Sequence, residues 1–173
     1  EDGIVGEEFG NSGSTTRKWI IDPIDGTANY MRGVPVWASL IALSIEGHAV
    51  VSVVSAPALG RRWWAAPGVA KTSDIDGSIR DLKVSGISDL ENASLSYNNL
   101  QLWDSEGYLD QLISLSRKVW RTRAYGDFYS YMLLAEGSLE IVAEHDLKLY
   151  DIAALVPIVE QAGGRFTAIE GPL

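Results

Sequence analysis

Two aspartates three residues apart, Asp22 and Asp25, stand in the stretch WIIDPIDGTANY, between an apolar segment and a Gly-Thr step. Asp-Pro and Asp-Gly are common turn dipeptides, so an ordinary surface turn is one interpretation. Gly26 would let the backbone approach a ligand closely, and Thr27 stands where a helix could begin, with amide N–H groups facing an anion. Carboxylates beside an anion require cations between them. The stretch is therefore a candidate site for metal ions and phosphate.

Further acidic residues could complete such a site. Glu7 and Glu8 follow a short strand-like segment and offer more of the hard oxygen ligands that Mg²⁺ prefers. Asp151 stands at the head of an apolar helical segment, where the alternative interpretation is simply a helix N-cap. Each feature is common in proteins when it occurs alone, so only their combination favours a metal site.

The overall charge limits the partners of this chain. There are 23 acidic and 14 basic residues, giving a net charge of −9 that repels phosphate backbones, so no nucleic-acid partner is expected. The absence of cysteine excludes disulfides, a thiolate nucleophile and a cysteine zinc site. It is compatible with a reducing compartment, and we expect a cytoplasmic protein.

Length and hydropathy predict a soluble globular domain. The 173 residues are 46% apolar, enough to bury a core, which fits one domain or most of one. The longest mainly apolar run, residues 34–45, is far shorter than the roughly 20 residues of a membrane helix. We therefore expect no membrane association.

The first half of the chain has the character of strands. A short strand precedes Glu7, residues 10–18 have the composition of a mobile loop, and residues 19–21 form a buried-type strand. Branched and aromatic residues over 37–66, interrupted by two glycine-containing turns, predict an antiparallel meander of three strands. Residues 67–92 are polar, with one short strand predicted near residues 82–84.

The second half has the spacing of alternating helices and strands. Helices are predicted at 109–119, 127–137 and 150–164, and strands at 120–125, 138–144 and 165–169. Pro157 fits badly in a helix interior, so the last helix should be kinked or start later than its pattern suggests. The whole order predicts an α+β fold with layered α/β/α/β architecture.

Three segments in order resemble the inositol monophosphatase family of magnesium-dependent, lithium-sensitive phosphatases. They are Gly-Glu-Glu at 6–8, the stretch at 19–30, and the pair Tyr150-Asp151 heading a helix that ends in Ala-Gly-Gly. The resemblance covers residues 1–173 as a single domain and implies the sugar-phosphatase fold. The family has helices before Glu1, one with another metal-binding aspartate, and closing elements after Leu173, so we expect the fold to be incomplete at both termini.

The resemblance also implies roles for individual residues. It gives a ligand set for two or three Mg²⁺ ions: Glu7, Asp22, Asp25, Asp151 and the backbone carbonyl of Ile24. Thr27 with Glu7 would orient and deprotonate the attacking water, and Asp22 belongs with them in the catalytic set. Asp25, Gly26 and Thr27 would bind the phosphate. No covalent phosphoenzyme is implied.

Substrate selection is expected from two acids in the second half. In the resemblance, Glu144 lies where inositol enzymes bind a substrate hydroxyl, while Asp127 replaces a small residue. A carboxylate there suits a cationic substrate. Together with the sequence around it, this is most similar to the histidinol-phosphate phosphatase branch, whose substrate has an amine and an imidazole. From residue chemistry alone, Asp127 is nearly as well explained as the N-cap of the following helix.

Two alternative functions remain open. The first is a phosphatase for inositol-1-phosphate or a related sugar phosphate, and the second is a non-catalytic regulatory or RNA-associated module. His145, beside Glu144, is interpreted as a loop histidine rather than a metal ligand, because Mg²⁺ sites rarely use imidazole. The resemblance implies a homodimer acting on a small phosphate ester.

Overall fold

The computed structural model describes residues 2–8, 10–169 and 171–172. Its main feature is an eight-stranded sheet with the order β2-β1-β3-β4-β5-β6-β7-β8. The strands are β1 (Gly3–Gly6), β2 (Gly10–Ser12), β3 (Arg17–Asp25), β4 (Ala38–Ile45), β5 (His48–Ala56), β6 (Arg61–Ala66), β7 (Val69–Ser73) and β8 (Ile79–Asp81). The pair β1 and β3 is parallel and the other neighbours are antiparallel.

Strand β3 continues through the segment that looked like a turn in the sequence. Asp22 pairs with Leu40 and Asp25 with Ala38, so β3 has one extra residue between the two aspartates, which is a β-bulge. Pro23 lies in this bulge because it has no N–H to donate to β4. The surface-turn interpretation of Asp22 and Asp25 is therefore wrong.

The predicted meander is confirmed as β4, β5 and β6, and two other predictions for the large sheet need correction. Residues 10–18 contain β2 and the start of β3 instead of a mobile loop, because backbone pairing with β1 does not require apolar side chains. The polar stretch 67–92 contains β7 and β8, and the strand predicted at residues 82–84 is wrong. Leu82 is nevertheless buried, and the Val84 N–H donates to the Ala162 carbonyl at 3.0 Å.

A second sheet of three parallel strands has the order β10-β9-β11. The remaining elements are β9 (Ser94–Tyr97), β10 (Arg121–Arg123), β11 (Ile141–Ala143), β12 (Thr167–Ala168), β13 (Gly171–Pro172), α1 (Thr27–Met31), α2 (Leu100–Ser105), α3 (Leu109–Ser116), α4 (Asp127–Ala135), α5 (Leu149–Ile152) and α6 (Leu155–Gln161). The sequence did not predict β9 or α2. The serines of β9 explain part of this, since Ser96 is fully buried and bonded to Ser130 at 2.8 Å.

The final predicted helix is divided into α5 and α6. Pro157 is the third residue of α6, where its missing N–H has no helical partner to lose, so the later start is confirmed. Helix α6 packs on β5 and β6 and against α4, and α4 contacts β11 on its other side. The layers are therefore the large sheet, α4 with α6, the small sheet, and α2 with α3, as predicted.

Two hydrophobic clusters fill the spaces between these layers. The larger one includes Leu40, Val54, Trp63, Phe128 and Ile158 between the large sheet and the helices α4 and α6. The smaller one joins the small sheet to α2 and α3. In the part of the chain that is described, no helix is both long and apolar enough to cross a membrane.

One buried carboxylate links α4 to the large sheet. The Glu136 side chain is 7% exposed and forms ion pairs with Arg61 at 2.7 Å and with Arg80 at 3.0 Å. It also accepts a hydrogen bond of 2.5 Å from the indole N–H of Trp63. Removing one partner of a buried ion pair leaves charges and donors unpaired, which costs more than an exposed pair would.

We expect Glu136→Ala to lower the free energy of unfolding by about 3 kcal/mol, because the Trp63 N–H would lose its acceptor and Arg61 would keep only Asp74 as an ion-pair partner. Urea denaturation followed by fluorescence measures this change. Glu160→Ala, on the exposed side of α6, is the control and should change stability by less than about 0.5 kcal/mol. Equal effects of the two substitutions would contradict this account of Glu136.

Candidate active site

A cavity of about 240 Å³ opens where β3, α1, α4, α5 and the end of β11 come together. Glu8 does not line it, whereas every residue to which the family resemblance gave a role does: Glu7, Asp22, Ile24, Asp25, Gly26, Thr27, Asp127, Glu144 and Asp151. These residues span most of the chain, so the fold brings distant segments to one place. The structure does not by itself assign their roles.

Three carboxylates form the centre of this cavity. Oxygens of Asp22, Asp25 and Asp151 lie within 4.8 Å of one another, and Asp22 is only 2% exposed. Asp22 and Asp25 flank the bulge of β3, whereas Asp151 comes from α5. Within the described residues, none of the three forms an ion pair with a basic side chain. No basic side chain among the described residues therefore forms an ion pair that would offset their mutual repulsion.

Each of these carboxylates is held by one backbone amide. Asp22 accepts from Ile24 at 2.9 Å, and Asp25 accepts from Phe128, the second residue of α4, at 2.8 Å. Asp151 accepts from the Lys148 N–H at 2.6 Å. Lys148 is the N-cap residue of α5. Asp151 lies within this helix and its side chain accepts from the N-cap backbone, so Asp151 is not the N-cap itself. The three acids are therefore fixed before any ligand binds.

Burial changes the protonation of all three groups. It raises the pKa of Asp22 to about 7, and the charge of Glu7 adds to that shift. Burial also raises the pKa of Asp25 well above its usual value, although the Phe128 amide opposes the shift, and it raises the pKa of Asp151. Divalent cations would oppose these shifts, since their charge favours the ionised carboxylates. The set of hard oxygen donors fits Mg²⁺.

Glu7 lies at the edge of this group. It follows β1, and its N–H donates to the Ile21 carbonyl at 3.3 Å, next to the bulge of β3. Its side chain is exposed to the cavity mouth, unlike that of Asp22. The Glu7 side chain is therefore accessible to solvent while it lies beside the central acids.

Gly26 and Thr27 form the turn from β3 into α1. Gly26 has φ 82°, and a Cβ there would lie 2.8 Å from the Val36 carbonyl oxygen and 3.2 Å from Asp127, so no larger residue fits without displacement. The Thr27 hydroxyl donates to the Ile24 carbonyl at 2.9 Å. Both oxygens keep a lone pair directed elsewhere, available to a ligand.

Asp127 does not act as the N-cap of α4. The N-cap residue is Gly126, and the amide at the start of the helix bonds to Asp25 instead. The Asp127 carboxylate accepts a hydrogen bond of 2.8 Å from Asn29, and its backbone has φ 49°, an uncommon conformation for a non-glycine residue. Burial, followed by the charge of Asp151, raises its pKa. The N-cap alternative is thus wrong, and the carboxylate faces the cavity.

Glu144 follows β11 and faces the cavity from the opposite side. Its Oε1 is buried and has no hydrogen-bond partner among the described residues. Burial raises its pKa to about 7, with the Tyr131 hydroxyl opposing that shift. A buried carboxylate oxygen without a partner is rare in native proteins and is explained by a ligand or water.

Sequence analysis missed three polar residues at this site: Asn29, Asn98 and Tyr131. Asn29 lies within the stretch WIIDPIDGTANY, where only the acids, Gly26 and Thr27 were assigned. Asn98 follows the unpredicted strand β9, so its position at the cavity could not be inferred. His145 lies in the loop after β11, as predicted, and it packs on the aromatic residues Trp103 and Tyr108.

Two curated proteins with similar sequences are named histidinol-phosphatase. The protein of that name from Mycobacterium tuberculosis is 53% identical over 172 residues, covering 98% of this chain and 66% of the relative. The one from Streptomyces coelicolor is 54% identical over 175 residues, with the same two shares covered. The chain thus spans 66% of the length of these two relatives.

Solved structures and a family model agree with this similarity. The structure of Mycobacterium tuberculosis SuhB superimposes with a TM-score of 0.83 at 28% identity, covering 98% of this chain and 68% of that one. The sequence model of the inositol monophosphatase family matches residues 1–172. Because the match extends over nearly the whole chain and agrees with the layered fold and its acidic cavity, this chain belongs to the inositol monophosphatase family.

Proposed function

We propose that this chain forms the catalytic part of a Mg²⁺-dependent phosphomonoesterase that converts L-histidinol phosphate to L-histidinol and phosphate. The observation that supports it most is the grouping of acids in one cavity, with Asp22, Asp25 and Asp151 at its centre and Asp127 and Glu144 on its walls. The central group suits metal ions, and the two others suit a cationic substrate. The names of the two bacterial relatives support the same substrate.

The central acids would hold two or three Mg²⁺ ions. Their ligands in this proposal are Glu7, Asp22, Asp25, Asp151 and the backbone carbonyl of Ile24. When bound, these ions would neutralise the phosphate, acidify a water molecule and stabilise the leaving alkoxide. Amides of Gly26 and Thr27 would hold phosphate oxygens beside Asp25 at the start of α1.

Thr27 is prepared to orient the attacking water. Its hydroxyl hydrogen is directed to the Ile24 carbonyl, so its oxygen can accept a hydrogen bond from that water. The water forms a bond to phosphorus in line with the ester oxygen, and its proton passes to the Glu7 carboxylate. The bond between phosphorus and the ester oxygen then breaks, and the alkoxide of histidinol takes a proton from solvent.

Asp127 and Glu144 would select the organic part of the substrate. Histidinol phosphate has an ammonium and an imidazole group, and carboxylates in a partly buried cavity attract such cations more strongly than carboxylates in water. Asp127 lies beside Gly26 at the start of α4, while Glu144 follows β11 and lines the same cavity. The two acids can therefore contact different parts of one substrate.

The second candidate is hydrolysis of inositol-1-phosphate or a related sugar phosphate. The unpartnered Glu144 oxygen favours it to some extent, since a hydroxyl group can also donate to that atom. A non-catalytic module gains nothing from the repulsion among the central acids, and a net charge of −9 opposes RNA binding. A cytoplasmic homodimer is part of our proposal on the family resemblance alone.

Substrate preference and metal dependence follow from the acids of the cavity. We expect the protein with Mg²⁺ to release phosphate from L-histidinol phosphate at least about tenfold faster than from inositol-1-phosphate, because two carboxylates attract the cation. A chelator should abolish the release, and added Mg²⁺ should restore it. A colorimetric phosphate assay measures all three. Preference for inositol-1-phosphate would overturn the proposed substrate and leave the metal site standing.

Asp127 provides a sharper test of substrate choice. Asp127→Ala should lower kcat/KM for histidinol phosphate by about thirtyfold, the loss of a charge-assisted contact of about 2 kcal/mol. Hydrolysis of inositol-1-phosphate should change by less than about threefold. Asp104→Ala, an exposed aspartate in α2, is the matched control and should leave both substrates unaffected. Equal losses on both substrates would show that Asp127 serves the chemical step.

In the absence of metal, the free energy of unfolding should decrease as pH rises, because the carboxylates at the site have raised pKa values. The pKa of Asp22 is about 7 in the folded state and near 3.8 in the unfolded chain, so folding is favoured by protonation. This contribution is present below pH 3.8 and is lost as pH rises through 7. With chelator, we expect the free energy of unfolding to fall between pH 5 and pH 8 by on the order of 3 kcal/mol.

Mg²⁺ should restore most of that stability at pH 8 and have little effect at pH 5, where protons compete with the metal. Thermal unfolding at both pH values, with and without Mg²⁺, measures this. Asp22→Asn should flatten the pH dependence of the chelated protein. Stability that rises from pH 5 to pH 8 with chelator would contradict the raised pKa values.

A further inference from the structure

The side chain of Asn98 joins the ends of two neighbouring strands. Asn98 follows β9, while Glu144 and His145 follow β11, and the last paired residues are Tyr97 and Ala143. The Asn98 amide group donates to the His145 carbonyl at 2.9 Å, and its carbonyl oxygen accepts from the His145 N–H at 3.3 Å. Both backbone groups of His145 are thus bound by one side chain.

The same asparagine is itself held in place. Its carbonyl oxygen also accepts a hydrogen bond of 2.9 Å from the indole N–H of Trp103, in α2. The imidazole ring of His145 packs edge-on against Trp103, with centroids 4.1 Å apart, and stacks on Tyr108 at 5.3 Å. His145 is therefore fixed through its backbone and through its ring.

Glu144, directly before His145, has less direct support. Its Oε1 has no hydrogen-bond partner among the described residues, although the atom is buried. Apart from the Tyr131 hydroxyl, the position of this carboxylate depends on its backbone, which adjoins the backbone of His145 that Asn98 holds. Asn98 also lines the same cavity as Glu144. A change at Asn98 would consequently move Glu144 relative to the central acids.

We propose that Asn98 is a positioning residue that fixes Glu144, through the His145 backbone, for contact with the organic part of the substrate. This inference deepens the proposed function and rests on Glu144 being a substrate contact. It assigns to Asn98 no contact with the reacting atoms. Asn98 should therefore affect substrate binding through Glu144 and leave phosphate hydrolysis itself intact.

Asn98→Asp distinguishes a residue that positions Glu144 from a residue that merely lines the cavity, because the two explanations predict different changes in KM. The substitution keeps the acceptor for Trp103 but replaces the donor to the His145 carbonyl with a repelling oxygen. If Asn98 only lines the cavity, the added carboxylate should lower KM for a cationic substrate or leave KM unchanged. If Asn98 positions Glu144, the substitution should raise KM by about tenfold and change kcat by less than about twofold.

A double-mutant cycle shows whether Asn98 acts through Glu144. Glu144→Gln should raise KM by a similar factor, and adding Asn98→Asp to it should raise KM no further, because the two effects share one contact. Asn99→Asp is the matched control: it adds the same charge one residue away, where Asn99 caps α2 and aspartate caps equally well. It should leave KM within about twofold. Circular dichroism and thermal unfolding verify that each variant folds.

The cycle is carried out on the purified full chain with Mg²⁺, using whichever phosphate ester the unsubstituted protein hydrolyses best. Preference for an ester other than histidinol phosphate would refute the proposed substrate, and the same cycle on that ester would still test Asn98. Non-additive KM effects support the inference. Independent, additive effects of the two substitutions, or a KM that falls in Asn98→Asp, would overturn it. Asn98→Ala, which adds no charge, should also raise KM.

Discussion

Repulsion among buried carboxylates is the constraint on which this structure depends. Asp22, Asp25 and Asp151 bring oxygens within 4.8 Å of one another without a basic partner in the described residues. Charges in such surroundings are costly, and each carboxylate is accordingly anchored by a backbone amide and has a raised pKa. The layered fold must hold these acids together against their mutual repulsion.

The architecture meets this constraint by placing the acids beside a bulge, at a strand end and in a short helix instead of in long regular elements. The bulge of β3 directs Asp22 and Asp25 to one side, and the break between α5 and α6 leaves Asp151 in a short helix beside them. The start of α4 donates its amide to Asp25, so one helix both packs the core and supports the site. Stability and function therefore share α4, whose other end is linked to the large sheet by Glu136.

The same arrangement separates two tasks within one cavity. The central acids belong to segments characteristic of the inositol monophosphatase family, whereas Asp127 and Glu144 lie on walls contributed by the helix and strand layers. In the proposed function, changes on the walls would alter the organic group that is accepted without disturbing the proposed metal ligands. The relatives are consistent with this division, because histidinol-phosphatases and inositol-1-monophosphatases share the family with this chain.

The sequence by itself identified the candidate metal and phosphate residues, because twelve adjacent residues contain most of them and local spacing is visible in one dimension. It also determined the meander and α4, whose apolar periodicity is strong. Only the tertiary structure decided that Asp25, rather than Asp127, bonds the start of α4, that Asn29 holds Asp127, and that Asn98 meets His145. These contacts join residues 47 to 103 positions apart, and β9, which places Asn98, buries serines that hide its strand character. Long-range pairing and buried polar groups leave no periodic signal, and for that reason they required the fold.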